Sequence, residues 1–502
     1  MKLQHSLIAG ACLAVCSLSS FAAGNLNAAA CSAAITDGAS AEALVNNCAP
    51  AATLFIGGAS TMKSNTLTVL NAQLFDIGAM VPIQIKDNVT PSKANVIAYV
   101  GKAKAGVGTL GGKLIYVVYN YNNGSSGGVS QLLGKPHKFG ETDVTKIIVE
   151  ADVPFIGPAK TQTEAGGTTA NIFCGTAATT VASTATLVAC NSHAPQQADM
   201  ALSDVRAQEL YAVYAAAAKG KPADLTQTPL LLQSFGVTVS PKLYAALQTQ
   251  QGLTGALAAG QPSINSAAYA SLVAKGGKVA SLADLVGSAN IPAGDETAVL
   301  KLARRDDLSG TQASSNIFFV NGQCAGNGLQ LVAKSVDEKV GKAGGLLGGL
   351  AIRQDVTDDS ATLDVQSHVT NTSVGVQIAS AVDYAIGVVG TGSGSGLFVK
   401  LDNVSPNANG ANFKNATATR AQLASGNYPF AMTLYGMYVT KTMDKSADKK
   451  AMVLAMLDGF KNSNLSNLSG IAYLDGAATG VVAQQSAVNR ANGNNCSPIV
   501  KL

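Results

Sequence analysis

An α/β fold with parallel strands is what this sequence predicts, and three observations predict it. Apolar strand-like runs alternate with helical periodicity, as where Thr53-Leu54-Phe55-Ile56 is followed by Thr61 to Asp76. Several of those runs end in small hydroxylated residues just where a helix begins. The chain of 502 residues is 47% hydrophobic and only 13% charged, against a usual charged share of about 25%, so a core is well supplied and disorder is excluded. Single cores stop growing near about 250–300 residues, so two domains, or one with large insertions, is the expectation.

The elements follow in order. Lys2, the ten-residue apolar run Leu7 to Cys16 and the small-x-small triplet Ser20-Phe21-Ala22 read as a signal peptide over 1–22. That run is too short to anchor in a bilayer, and no later stretch of 18 apolar residues follows. A soluble mature chain in the periplasm or outside the cell is expected, with no membrane insertion. Residues 23–52 form an Ala-rich, cystine-containing lead-in. The strand at Thr53 breaks at Gly57-Gly58, and Leu67, Leu70, Leu74 and Ile77 share one face of the helix after it. A second strand, Leu114 to Tyr121, ends at Asn123-Gly124-Ser125-Ser126-Gly127-Gly128, and a helix starts at Val129. Residues 134–198 are an insertion; its part from 161, Thr/Ala-rich, is expected to be a surface loop. Asp204 to Lys219 reads as a helix with Ser203 as its N-cap. Ala298 to Ala303 is a third strand, Arg304 to Thr311 its loop, and Gln312 to Phe319 the next helix. Tyr384 to Val389 and the segment after Phe430 read as further strands.

Charge and cysteine usage narrow the function classes. Lys+Arg 34 against Asp+Glu 30 leaves +4, and no basic block stands out, which argues against nucleic acid as a partner. Of the 8 cysteines, removing Cys12 and Cys16 leaves Cys31, Cys48, Cys174, Cys190, Cys324 and Cys496, an even count in a chain sent to an oxidising compartment. Proximity favours Cys31–Cys48 and Cys174–Cys190, leaving Cys324–Cys496, though six cysteines allow fifteen pairings. No zinc-ligand spacing occurs, so no metal or cofactor is expected.

Four sites share one design: Ser60-Thr61, Ser125-Ser126, Ser203-Asp204 and Ser309-Gly310-Thr311. Each places Ser or Thr where a strand gives way to a helix. A helix N-terminus offers unpaired N–H groups and a partial positive charge, and so favours anions. Each alone is an ordinary cap; several in one α/β chain, one preceded by Arg305, point to an anion pocket.

The family resemblance enters at these residues. Leu54-Phe55-Ile56-Gly57-Gly58-Ala59-Ser60-Thr61 resembles the opening element of the periplasmic phosphate-binding proteins of ABC transporters. Gly124-Ser125-Ser126-Gly127-Gly128-Val129 is similar to their Gly-Ser-Ser-Gly-Gly-Val helix start, and Asp199-Met200-Ala201-Leu202-Ser203-Asp204 to their Asp-x-x-x-Ser-Asp element. Arg305-Asp306-Asp307-Leu308-Ser309-Gly310-Thr311 resembles their Arg-x-Asp-x-Ser-Gly-Thr loop. The four occur in family order across roughly residues 53–440.

The resemblance implies a two-lobed type II periplasmic-binding-protein fold, with lobe one over 53–231 and 428–502 and lobe two over 232–427. A Cys324–Cys496 bridge would then tie lobe two to the tail of lobe one and restrict the hinge. It also implies that inorganic phosphate is held, without catalysis, by Ser60, Thr61, Ser125, Asp204, Arg305, Ser309, Gly310 and Thr311, and that an ABC permease receives it. Arg305 would give bidentate charged donors to two anion oxygens. Asp204 suits only an anion that carries a proton, as phosphate does and sulfate does not. The long insertion and the cysteine-bearing lead-in depart from the family pattern. Two other readings remain: a secreted adhesion protein with a vestigial pocket, and a serine hydrolase, since Gly124 to Gly128 satisfies G-x-S-x-G with Ser126 as nucleophile and His193 or His368 as base.

Overall fold

The computed structural model describes residues 50–79, 82–86, 96–121, 124–134, 195–210, 225–255, 258–273, 282–298, 300–303, 309–321, 324, 384–391, 397–407, 416–462, 470–474, 488–490, 494–497 and 499–501, with short strands between 137 and 191. The expected signal peptide, Cys31, Cys48, Arg305, His193 and His368 lie outside the described residues.

β1 is Ala52–Gly58; a 3₁₀ turn, Ser60–Met62, leads into α1, Lys63–Val69, which continues as a wider turn over Leu70–Leu74. β2 is Ile83–Lys86, β3 Val96–Lys102 and β4 Leu114–Asn120, followed by α2, Gly124–Leu133. β5 is Ala170–Cys174, β6 Met200–Ser203 and β7 Leu225–Val239, then α3, Pro241–Gln250, capped by the Ser240 hydroxyl. β8 is Leu300–Ala303, α4 Gly310–Val320, β9 Tyr384–Gly390, β10 Ala431–Val439 and α5 Ala447–Asn462.

The main sheet runs β5-β2-β3-β4-β1-β6-β10-β7-β9-β8, with Leu187–Val188 beyond β5. One parallel group, Leu187–Val188 with β5 and β2, stands at an end of it, and two more, β4-β1-β6 and β9-β8, flank its centre. The long strands β7 and β10 join the latter two, antiparallel to each other and to their outer neighbours β9 and β6. Residues 225–234 of β7 pair with β10, and 235–239 pair with β9, so one strand serves both groups. This is the α/β organisation that the alternation of strands and helices implied.

The apolar runs explain the packing. In β1, Leu54 and Ile56 face one core and Phe55 the other; in β4, Ile115, Val117 and Tyr119 lie with Leu54, while Tyr116 and Val118 lie with Phe55. Strands buried on both faces read as continuous apolar sequence, as parallel strands covered by helices do. Tyr116, Tyr119 and Tyr121 are core residues.

Four expectations need correction. The helix expected to start at Val129, α2, starts at Gly124. The helix expected to reach Asp76 ends at Leu74, and Ile77 is 49% exposed in the turn beyond it. No helix starts at Asp204: the Ser203 hydroxyl closes on Val205, donating to its carbonyl at 2.6 Å and accepting from its N–H at 3.3 Å. Asp204 therefore lies in a bend, and only the 3₁₀ turn Ala207–Glu209 follows before the described residues stop at 210. Lastly, part of the expected loop is sheet, because β5 runs parallel to β2.

Candidate anion site

The site is built on backbone contact. A Cβ at Gly128 of α2 would stand 2.4 Å from Gly58 Cα, and one at Gly58 would stand 2.0 Å from the Leu202 carbonyl oxygen. The end of β1 thus touches α2 on one side and β6 on the other, and Ala59 N–H donates to the Leu202 carbonyl at 2.9 Å. Only glycine allows that approach, and at Gly58 a φ of 138° adds a second reason.

That junction gathers three of the expected ligands. Thr61 Oγ1 donates to Asp204 Oδ1 at 2.5 Å, and Asp204 N–H donates to Ser125 Oγ at 3.1 Å. The fourth motif arrives from across the sheet. Ser309 caps α4 by accepting from Gln312 N–H at 3.3 Å, and Thr311 Oγ1 donates to Asp204 Oδ2 at 3.5 Å. Gly310 packs so closely that a Cβ there would lie 2.2 Å from Ser125 Oγ and 2.6 Å from Asp204 Oδ2. Ser125, Asp204, Ser309 and Thr311 are all buried. Ser60 opens the turn before α1.

So Thr61, Gly310 and Thr311 meet the Asp204 carboxylate, Ser125 accepts from the Asp204 N–H, and Ser309 caps the helix that brings Gly310 and Thr311. Helices α2 and α4 both present N-terminal ends here, and neither has an acidic residue in its first turn to cancel the positive end. The N–H groups of Gly310 and Thr311 lie in a first turn, where the helix itself supplies no acceptor. Hydroxyls and two helix N-terminal ends thus converge on one carboxylate. Ser126, the hydrolase candidate, is fully buried one residue beyond Ser125, inside α2, and its hydroxyl has no partner among the described residues.

Two supports were not foreseen from the sequence. Asp199, at the start of the same segment, accepts from Phe55 N–H at 2.9 Å and pairs with Lys449 of α5 at 2.8 and 2.9 Å, fixing β6 beside β1. Burial raises the Asp199 carboxyl, and the Lys449 charge opposes that shift. The second support is Glu209, almost fully buried, which accepts from Arg206 N–H and Nε, both at 2.8 Å. Burial raises its carboxyl too, against the Arg206 charge. Asn495 adds a bond to Glu209 at 3.2 Å and brackets Thr433 of β10, accepting from its N–H at 2.8 Å and donating to its carbonyl at 3.2 Å. Asn494 Oδ1 accepts from the Arg206 guanidinium, and Cys496 beside it is bonded to Cys324, with Cα atoms 5.3 Å apart. The cysteine was the only signal in the sequence for this clasp.

The far end of α4 is docked by aromatic rings. Phe318 stacks on Phe430 at 4.4 Å between centroids, Phe319 meets Tyr269 at 4.5 Å, and Phe430 lies 5.5 Å from Phe235 of β7. The helix that carries Gly310 and Thr311 is thereby seated against Phe430, just ahead of β10, and Phe430 in turn meets Phe235 of β7.

No protein-family profile matches the chain, and no curated protein does. Solved structures do align with it. A Clostridium perfringens protein described as a phosphate ABC transporter substrate-binding protein, with phosphate bound, is 10% identical over 83% of this chain and 99% of its own, at a TM-score of 0.37. PstS from Borrelia burgdorferi is 10% identical over 83% of this chain and 98% of its own, at 0.27. An ABC-type phosphate transport receptor from Vibrio cholerae is 12% identical over 52% of this chain and 73% of its own, at 0.25. Superpositions at these scores establish no shared family, and the functional case rests on the residues around Asp204. Among the described residues no helix is long and apolar enough to cross a membrane, and no cluster of metal-ligating side chains occurs.

Proposed function

We infer that the chain is an exported, non-catalytic solute-binding protein that holds inorganic phosphate, or a similar protonated oxyanion, between two lobes. The observation that carries this reading is the meeting of Thr61, Gly310 and Thr311 at the Asp204 carboxylate, with Ser125 on the Asp204 N–H, from separate strand–helix junctions. With lobe one over 53–231 and 428–502 and lobe two over 232–427, Asp204 and Thr311 belong to opposite lobes. Their contact is then a closed cleft, and hinge opening about β7 and β10 admits the ligand. Ser60, Ser309 and Arg305 complete the set of donors, with Arg305 supplying the fixed positive charge. A permease of the ABC type is the partner that a released phosphate would pass to.

Asp204 sets the selectivity. Its carboxylate is an acceptor that two Thr hydroxyls already donate to. A ligand P–OH can donate to such a group, whereas sulfate brings only acceptors and meets repulsion. A site built on a required hydrogen bond rejects an analogue lacking it by roughly 10⁴–10⁵.

Isothermal titration of the mature protein with phosphate, sulfate and arsenate tests the reading. Phosphate should bind and sulfate should not. Asp204→Asn should narrow that gap, chiefly by admitting sulfate. Arg305→Ala should cost about 2–5 kcal/mol of phosphate binding, the usual loss when one partner of a buried charge pair goes. No measurable phosphate affinity up to millimolar concentration would favour a surface-adhesion role with a vestigial pocket.

A further inference from the structure

The bridge between Cys324 and Cys496 closes a ring of contacts around the site. Starting from Asp204, the chain turns through Arg206 and Glu209, which are held by Asn494 and Asn495. Cys496 follows and is bonded to Cys324, which lies just past the end of α4. The other end of α4 returns to Asp204 through Thr311. The helix is therefore pinned to the Asp204 turn twice, by Thr311 at its N-terminus and by the bridge and clasp beyond its C-terminus. Thr433, gripped by Asn495 on both its N–H and its carbonyl, lies on β10, one of the two strands that join the halves.

We propose that the Cys324–Cys496 bridge, with the Asn494–Asn495 clasp it anchors, is a latch that positions α4 against the Asp204 turn and holds the halves closed. A disulfide placed only to restrict the unfolded chain would have no reason to end beside a buried asparagine, Asn495, that contacts both the turn and the joining strand. The two roles make different demands. A constraint on the unfolded chain raises stability everywhere at once, whereas a latch governs local opening at the site. The proposal rests on the binding-cleft reading for its functional consequence, which is slow ligand release. Its geometric content stands without any ligand.

Hydrogen exchange on the full mature chain, without ligand, tests it. In the double variant Cys324→Ser/Cys496→Ser, peptides over 204–210 and 309–317 should exchange about tenfold faster, within the usual range of coupling between a distant constraint and a site. Peptides of β1 and β4 should keep their rates. Acceleration spread evenly over all peptides, or none at the two site peptides, would overturn the latch. Should the double variant fail to fold, Asn495→Ala decides: it keeps the bridge, removes the clasp, and should speed exchange at 204–210 while leaving β4 unchanged. Phosphate release from the same proteins is followed separately by stopped flow. Absence of phosphate binding in every protein counts against the function proposed above and leaves the exchange result to stand or fall alone.

Discussion

The two sides of the site are made differently. On one side β1, α2 and β6 meet backbone to backbone, with Gly58 and Gly128 removing any side chain from between them. On the other, α4 reaches Asp204 through one Thr hydroxyl and the bare edge of Gly310. The first side cannot move without breaking sheet and helix packing together. The second is a single helix end that can withdraw. A pocket that must both grip and release can use that asymmetry, with a rigid cradle on one face and a retractable donor set on the other.

Three substitutions sharpen or break this contrast. The largest effect is expected from Gly128→Ala, whose Cβ would meet backbone atoms of Gly57 and Gly58 at 2.4 to 2.7 Å. Backbone has nowhere to give, so unfolding in denaturant should show a loss of about 3 kcal/mol, at the upper end of overpacking costs. A loss under 1 kcal/mol would mean that the cradle is not rigid. Gly310→Ala comes next. Its Cβ would press on Ser125 Oγ and the Asp204 carboxylate, and α4 can retreat from them. The melting temperature should change little, while calorimetry should find phosphate affinity at least about tenfold weaker, or 1.4 kcal/mol. Equal damage to stability from both glycine variants would erase the asymmetry.

The smallest effect concerns pH. Burial holds the Glu209 carboxyl above its ordinary value of 4.5. A group raised in this way contributes stability that is complete below the ordinary value and is lost as pH rises through the folded one. The wild type should therefore lose part of its stability as pH climbs from about 4.5, and Glu209→Gln, which cannot titrate, should show a flatter curve. Asp199, shifted in the same direction by its own burial, remains in both proteins and cancels in the comparison. Parallel melting curves for the two proteins across pH 4–7 would remove Glu209 as the source.

Much of the cradle was legible because its determinants are local. Gly57-Gly58, Gly127-Gly128 and Ser309-Gly310 mark tight approaches and caps over a few residues, and the structure uses them that way. Asp204 was expected to open a helix, and it lies in a bend. Its Ser203 cap was expected to start a helix, but that hydroxyl is spent on Val205, and the polar pairing that follows is between Arg206 and Glu209. The clasp was illegible for a different reason. Asn495 and Glu209 are 286 residues apart in sequence, and neither stands in a pattern that hydrophobic periodicity can detect. Hydrogen bonds between distant polar residues leave no period to find.

The place of β10 has one more consequence. This strand, Ala431–Val439, lies between β6 and β7, which precede it by some two hundred residues. As the chain emerges from its N-terminus, β6 can pair with β1 on one edge, but its other edge and the 225–234 part of β7 await β10. Pairings of such long sequence separation are slow to form and leave strand edges open meanwhile. Assembly of the sheet centre is therefore a late event, and the facing edges of β6 and β7 stay open until it occurs.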